Sequence, residues 1–321
     1  MHYPLRRRNS PQQARRGFTL VELLIVIVII AILVGLLVPV VMGVMQNARI
    51  AQVRQEISQL ENAITAFKTT YGVEPPSQFR LYDDFNLYLS VDAAGAGTIE
   101  DTARIKSAAL IRRMWPQFDF TANRDWDGDS DISATEAYIL SGPECLVFFL
   151  GGIIPAGPGL PNLNGFSKDP QHPFNDVGSS REGPFLEFAA SRVRDNSGNP
   201  GFFEYYDPLA GQTNPYAYIH SDDYEFFDPP TNIGTLATYK QSEATGSYYK
   251  KNTYQIVSPG FDGLYGYGGV YEEDDAGHDG SIGHINFQYT SYSPSPGTGA
   301  SDPNRPDNDN ITNFAPAELR P

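Results

Sequence analysis

Residues 17–24 read Gly17-Phe18-Thr19-Leu20-Val21-Glu22-Leu23-Leu24, and from Phe18 to Met45 the single charged side chain is Glu22. Upstream lie Arg6, Arg7, Arg8, Arg15 and Arg16, with no acid among them. At about 1.5 Å per residue, a helix of this length exceeds a hydrocarbon core of roughly 30 Å. Arginines on its N-terminal side hold that end in the cytoplasm, so the bulk of the chain is expected outside. Glu22 departs from a plain anchor. A carboxylate one turn into a membrane helix costs about 2.5–3.5 kcal/mol on insertion scales, so it calls for a partner.

The string Arg16-Gly17-Phe18-Thr19-Leu20-Val21-Glu22 resembles the cleavage-and-methylation signal of type IV prepilins and type II secretion pseudopilins. The resemblance implies that residues 1–17 are a leader. A membrane aspartyl peptidase would cut after Gly17 and methylate the new amine of Phe18. It also implies that Glu22 of an incoming subunit pairs with the Phe18 amine of a neighbour already in the filament. Opposite charges attract far more strongly in low dielectric than in water, and each is costly there alone. Methylation keeps the positive charge. The plainer alternative is a glutamate that snorkels to the headgroups.

The chain has 321 residues and a formal charge of −15; loss of residues 1–17, with their five arginines, takes it to −20. So acidic a chain is a poor nucleic-acid binder, because phosphate contacts need Lys and Arg. It suits an extracytoplasmic surface or cation binding. A lone cysteine, Cys145, rules out an intrachain disulfide and reads as a core residue.

Beyond the membrane run the helix is expected to continue through 46–72. Ile50, Val53, Ile57, Leu60, Ile64, Phe67 and Tyr71 recur every three or four residues, while Arg49, Arg54, Glu56, Glu61 and Lys68 fall off that stripe. Such a stripe packs on the chain's own domain or forms an intermolecular coil. Gly72 and Pro75-Pro76 end it. Pro39 is expected to kink or locally melt the upper half. Residues 103–115 read as a short helix and Thr135 to Leu140 as another. Ser141-Gly142-Pro143-Glu144 reads as a capping box opening a further helix, with Gly151-Gly152 ending it. Phe185–Phe188 and Phe202–Tyr206 read as strands.

Residues 125–136, with Asp125, Asp127, Asp129, Asp131 and Glu136, resemble a calcium loop of the EF-hand kind. Ser130 stands where that loop has Gly, and the Gly is at 128. Calcium takes six to eight oxygens, which acids at this spacing can gather around one ion. The alternative is an acidic solvated loop. Near the end, Ser258-Pro259-Gly260-Phe261-Asp262-Gly263 and Asp307-Asn308-Asp309-Asn310 resemble the C-terminal part of the major pseudopilin of type II secretion. That resemblance implies a calcium site with Asp262 and Asp309 as ligands, Asp307 next, and a carbonyl from Ser258. Otherwise both pieces are ordinary turns. Residues 267–306 read as an acidic, flexible insertion.

The expected fold is α+β, a pilin-like ladle. A long N-terminal helix, with a transmembrane half (18–45) and an amphipathic half (46–72), packs on a small antiparallel sheet within an extracytoplasmic domain (73–321) carrying inserted helices and loops. The sequence shows no Gly-x-Ser-x-Gly elbow, no His-Glu-x-x-His helix and no ligand spacing among its histidines, so an enzyme is not the reading. The resemblance implies a structural subunit of a type II secretion pseudopilus or type IV pilus-like filament, single-pass in the inner membrane before assembly. Its implied partners are identical or homologous subunits, the prepilin peptidase and methyltransferase, an inner-membrane assembly platform and the membrane, with calcium as a structural cofactor. The alternative is a membrane-anchored surface adhesin.

Overall fold

The computed structural model describes residues 19–90, 99–126, 128, 132, 137–153, 163–178, 180–195, 201–224, 238–242, 247–265, 309–316 and 319. Two units make up the chain, Met1–Ala48 and Arg49–Pro321. Helix α1, Leu20–Tyr71, gives its first part to one and the rest to the other.

From Leu23 to Met45, within the first unit, α1 is apolar on every face. Its side chains from Leu20 to Met45 are exposed all round, including Leu36, Val40 and Met42. A helix with no polar face satisfies its own backbone and needs an apolar surrounding. Among the described residues, α1 is the one helix long and apolar enough to cross a membrane. Pro39 lies inside it, and helical structure continues to either side, so the expected local melting is not seen. Proline withdraws one N–H donor, and the long run of Leu, Val and Ile around it keeps the remaining ladder.

In the second unit α1 changes character. Ile50, Val53, Ile57, Leu60, Ala63, Ile64 and Phe67 are buried, on the three-and-four spacing expected of one helix face. Burying each of the larger ones contributes about 1.5–3 kcal/mol. The stripe therefore closes the chain's own core. Gly72 ends the helix at φ +74°, a left-handed conformation that favours glycine, and its N–H donates to Lys68 O at 2.8 Å.

The remaining elements are short. Strand β1, Phe79–Tyr82, is followed by α2, Ile99–Met114, close to the sequence expectation. Strand β2, Ala137–Leu140, corrects the helix expected over Thr135 to Leu140. Tyr138 and Leu140 are buried and Ile139 is exposed, a period of two. Antiparallel pairing with β1 (Phe79↔Leu140, Leu81↔Tyr138) decides what four residues of pattern could not. Helix α3, Gly142–Gly151, is buried at every residue. Its capping box is formed: Glu144 Oε2 accepts from Ser141 N and from Ser141 Oγ, both at 2.7 Å. Gly142 lies so close to β-structure that a Cβ there would stand 1.9 Å from Tyr218 O. Cys145 is fully buried in this helix, as expected.

Two hairpin-like pairs follow: β3 (Phe166–Ser167) with β4 (Arg181–Glu182), and β5 (Val193–Arg194) with β6 (Glu204–Tyr205). Phe185–Phe188 is not a strand, and of Phe202–Tyr206 only β6 is. Phe185 packs its ring against Phe67 and Tyr71 of α1 instead of entering a ladder. Strand β7, Ala217–His220, precedes a small pair, β8 (Lys240–Ser242) with β9 (Ser247–Tyr248), then β10 (Tyr254–Ser258) and β11 (Ile311–Thr312). The order β11-β10-β7 forms the largest sheet, antiparallel throughout. The expected single sheet is thus five small antiparallel ones among the described residues, and the α+β class stands.

Alternation places two cores on opposite faces of the three-stranded sheet. Tyr216, Tyr218, Tyr254 and Ile256 join the main core with α1 and α3. Ala217, Ile219 and Val257 join a smaller one with Tyr224, Tyr239, Tyr265 and Leu319. The abundant aromatic residues are mostly packing surface, as in the edge-to-face chain Phe67–Phe149–Phe79.

Candidate functional site

Three places carry chemistry. The first is the start of α1. Gly17 and Phe18 lie outside the described residues, and Glu22 is described. Its Oε2 accepts from Thr19 N at 2.9 Å and Thr19 Oγ1 at 2.8 Å, while Glu22 N donates to Thr19 Oγ1 at 3.2 Å. Thr19-x-x-Glu22 is a reciprocal capping box, a partner for Glu22 within its own chain. Sequence reading missed it, although the four-residue signature was there to be found.

The second place is the outer face of α1's lower half. Glu56 Oε2 accepts from Arg192 Nη1 at 2.7 Å and Glu56 Oε1 from Arg192 Nη2 at 2.5 Å. Tyr216 Oη also donates to Glu56 Oε2, at 3.1 Å. Arg192 is itself gripped by the β5–β6 pair. Its Nη1 donates to Tyr206 O at 3.0 Å, its Nη2 to Tyr205 Oη at 2.6 Å, and its guanidinium sits 4.8 Å over the Tyr205 ring. One turn on, Glu61 Oε1 accepts from Asn313 Nδ2 at 3.1 Å and meets Lys250 Nζ at 3.5 Å. Two of the charged residues that fall off the apolar stripe, Glu56 and Glu61, are therefore attachment points. Near the end of α1, Glu74 pairs with Lys68 at 2.9 Å and with His220 Nε2 at 3.2 Å.

The third place is the turn after β10. Asp309 Oδ2 accepts from Asp262 N at 2.9 Å and from Phe261 N. Asp262 Oδ1 accepts from Leu264 N at 2.8 Å. Gly260, at φ +68°, allows the approach: a Cβ there would stand 2.4 Å from Asp309 O. The structure therefore brings Asp262 and Asp309 together. Burial, and then the like charge of Asp309, push the Asp262 carboxyl up to about 6. Beside the turn, Gln212 Nε2 donates to Gly260 O at 2.5 Å, while the buried Oε1 of Gln212 and Oδ1 of Asn310 have no hydrogen-bond donor. Two crowded carboxylates beside the orphaned Gln212 oxygen suit a hard, oxygen-seeking cation. Among the described residues no group of three or more His, Cys, Asp or Glu can hold a metal, so acids alone do not complete a site. Ser258 Oγ donates to the buried Asp207 Oδ2 at 2.5 Å, a bond that does not involve its backbone carbonyl. Asp307 lies outside the described residues.

Of the 125–136 loop, Asp127, Asp129, Asp131 and Glu136 lie outside the described residues. Asp125 Oδ1 accepts from Gly128 N at 2.6 Å, and Ile132 is exposed.

A family model, the prokaryotic N-terminal methylation motif, matches residues 12–38. No curated protein and no solved structure matches the chain. The matched span holds Gly17, Phe18 and Glu22 and ends one residue before Pro39. It is the type IV prepilin-like signal.

Proposed function

We propose that this chain, which carries a type IV prepilin-like signal, is a structural subunit of a type II secretion pseudopilus or type IV pilus-like filament. The observation that carries the reading is the methylation motif over 12–38 running into a helix that is apolar on all faces and then closes a separate domain's core. Prepilin peptidase cuts after Gly17 and methylates Phe18. The subunit waits in the inner membrane with its domain outside, and filament packing then replaces lipid around α1. In this reading Glu22 exchanges its bond to Thr19 for the Phe18 amine of the neighbouring subunit. Calcium at the Asp262–Asp309 turn is part of the proposal, supported by the like-charge crowding and the undonated Gln212 oxygen beside it.

The test is intact-mass spectrometry of the protein from its native membrane fraction, with an N-terminal peptide map. A chain that starts at N-methyl-Phe18 is the expected result. A chain that keeps residues 1–17, or is cut elsewhere, overturns the reading.

A further inference from the structure

Glu204 is a buried acid with few partners among the described residues. It is 2 % exposed, and no Lys or Arg among the described residues pairs with it. Its Oε2 accepts from Tyr206 Oη at 3.0 Å, and its Oε1 has no hydrogen-bond partner. An ionised carboxylate buried in that way lacks the donors that normally offset its desolvation.

The groups around it do not help its charge. Arg194 of β5 stands opposite in register, but its guanidinium lies 4.4 Å over the Tyr206 ring and its Nη1 donates to Gln212 O. From α3 comes Glu144, whose carboxylate is already in the capping box, and from the end of β5 comes Asp195; both add negative charge. The buried Tyr265 hydroxyl also feels Glu204 and carries no cation. Burial first, then those two acids, against the Tyr206 hydrogen bond, push the carboxyl up to about 7.

Position gives this group leverage. The two residues after Glu204 are Tyr205 and Tyr206, which grip Arg192, and Arg192 holds Glu56 of α1. We propose that Glu204 is a proton-operated latch: protonated, it keeps β6 buried against α3 and the grip on α1 closed; ionised, it loosens the β5–β6 pair and with it the Glu56 contact. The folded chain holds this proton over a pH range where the unfolded chain has lost it. Stability from the latch is therefore complete below the ordinary glutamate range and is lost as pH rises through about 7.

The experiment is amide hydrogen exchange of the full chain in detergent micelles at pH 5.5 and 8.0, corrected for intrinsic exchange and read on peptides covering 193–206. Protection in the wild type is expected to fall roughly tenfold or more from pH 5.5 to 8.0. Glu204→Gln, a neutral mimic of the protonated acid, is expected to lose several-fold less protection than the wild type at pH 8.0. Tyr206→Phe removes the donor that favours the anion, so the wild-type loss should shift to higher pH. The neighbouring buried Asp207, pushed up to about 6, titrates in both wild type and Glu204→Gln, so their difference reports Glu204 alone. Equal wild-type protection at the two pH values overturns the proposal. So does an equal loss in Glu204→Gln, or a Glu204→Gln chain that folds but is unprotected over 193–206 at both pH values, which would show that the anion is the structural form. If Glu204→Gln does not fold, an unshifted or downward-shifted Tyr206→Phe profile overturns it alone.

Discussion

The guanidinium of Arg192 meets the carboxylate of Glu56 in a two-point pair, at 2.7 and 2.5 Å, although the residues stand 136 positions apart. Both side chains are mostly shielded from water, at 20 % and 13 % exposure. The pair fixes the rotation of α1 about its axis, since a turn of the helix in either direction would carry Glu56 out of reach while leaving part of the apolar stripe covered. Arg192→Ala is expected to destabilise the domain by about 2–3 kcal/mol, because Glu56 keeps its partial burial and loses its charged donors. Denaturant unfolding of the full chain in detergent measures it. Glu56→Gln together with Arg192→Ala should cost less than the sum of the single changes, and strict additivity would show that the pair does not act as one unit.

At the other end of α1, Thr19→Val keeps the size of the side chain and removes the hydroxyl that exchanges hydrogen bonds with Glu22. Loss of such a cap costs about 1 kcal/mol. The expected outcome is faster amide exchange in the first turn of α1, with Thr19→Ser close to wild type. Unchanged exchange in Thr19→Val would mean that the box does not hold the helix start.

Two glycines separate close packing from backbone conformation. Gly142→Ala puts a methyl group against the Tyr218 carbonyl, with no flexible side chain to move aside. Overpacking of this kind costs about 3 kcal/mol or more, and the thermal midpoint should fall by roughly 6–12 °C. Gly72→Ala meets no atom within 4 Å and suffers only its φ of +74°. Its expected cost is about 1 kcal/mol, roughly 2–4 °C. Equal effects would contradict the contact seen at Gly142.

Calcium should raise the thermal midpoint, and more so at pH 7.5 than at pH 5. Asp262 is raised to about 6, above its unfolded value, so without a cation the folded state loses stability as pH rises through 6. In the proposed site, calcium would bind the ionised carboxylates and compensate in that same range. Asp309→Asn keeps an oxygen for the Asp262 and Phe261 amides and removes the charge, so it should abolish the calcium response while the chain stays folded. Thermal scans with calcium and with chelator decide this. A full response in Asp309→Asn would place any bound calcium elsewhere, with the 125–136 loop the next region to substitute.

What could be read from the chain itself is what is local. The membrane run, the three-and-four stripe from Ile50 to Phe67, the stop at Gly72 and the Ser141–Glu144 box each lie in one continuous stretch of chain, and helix geometry repeats along it. Thr19–Glu22 belongs with them, as a pattern present and unread. Tertiary structure alone decided the rest. Ala137–Leu140 became a strand because β1 offered it a partner, since four residues do not distinguish a period of two from one of 3.6. Glu61 turned from solvent to Asn313, 252 residues away, and Arg192 reached Glu56 across 136. Pairs so distant leave no spacing in the sequence. Their residue types are those of any polar surface, and only the path of the folded backbone brings them within hydrogen-bond distance.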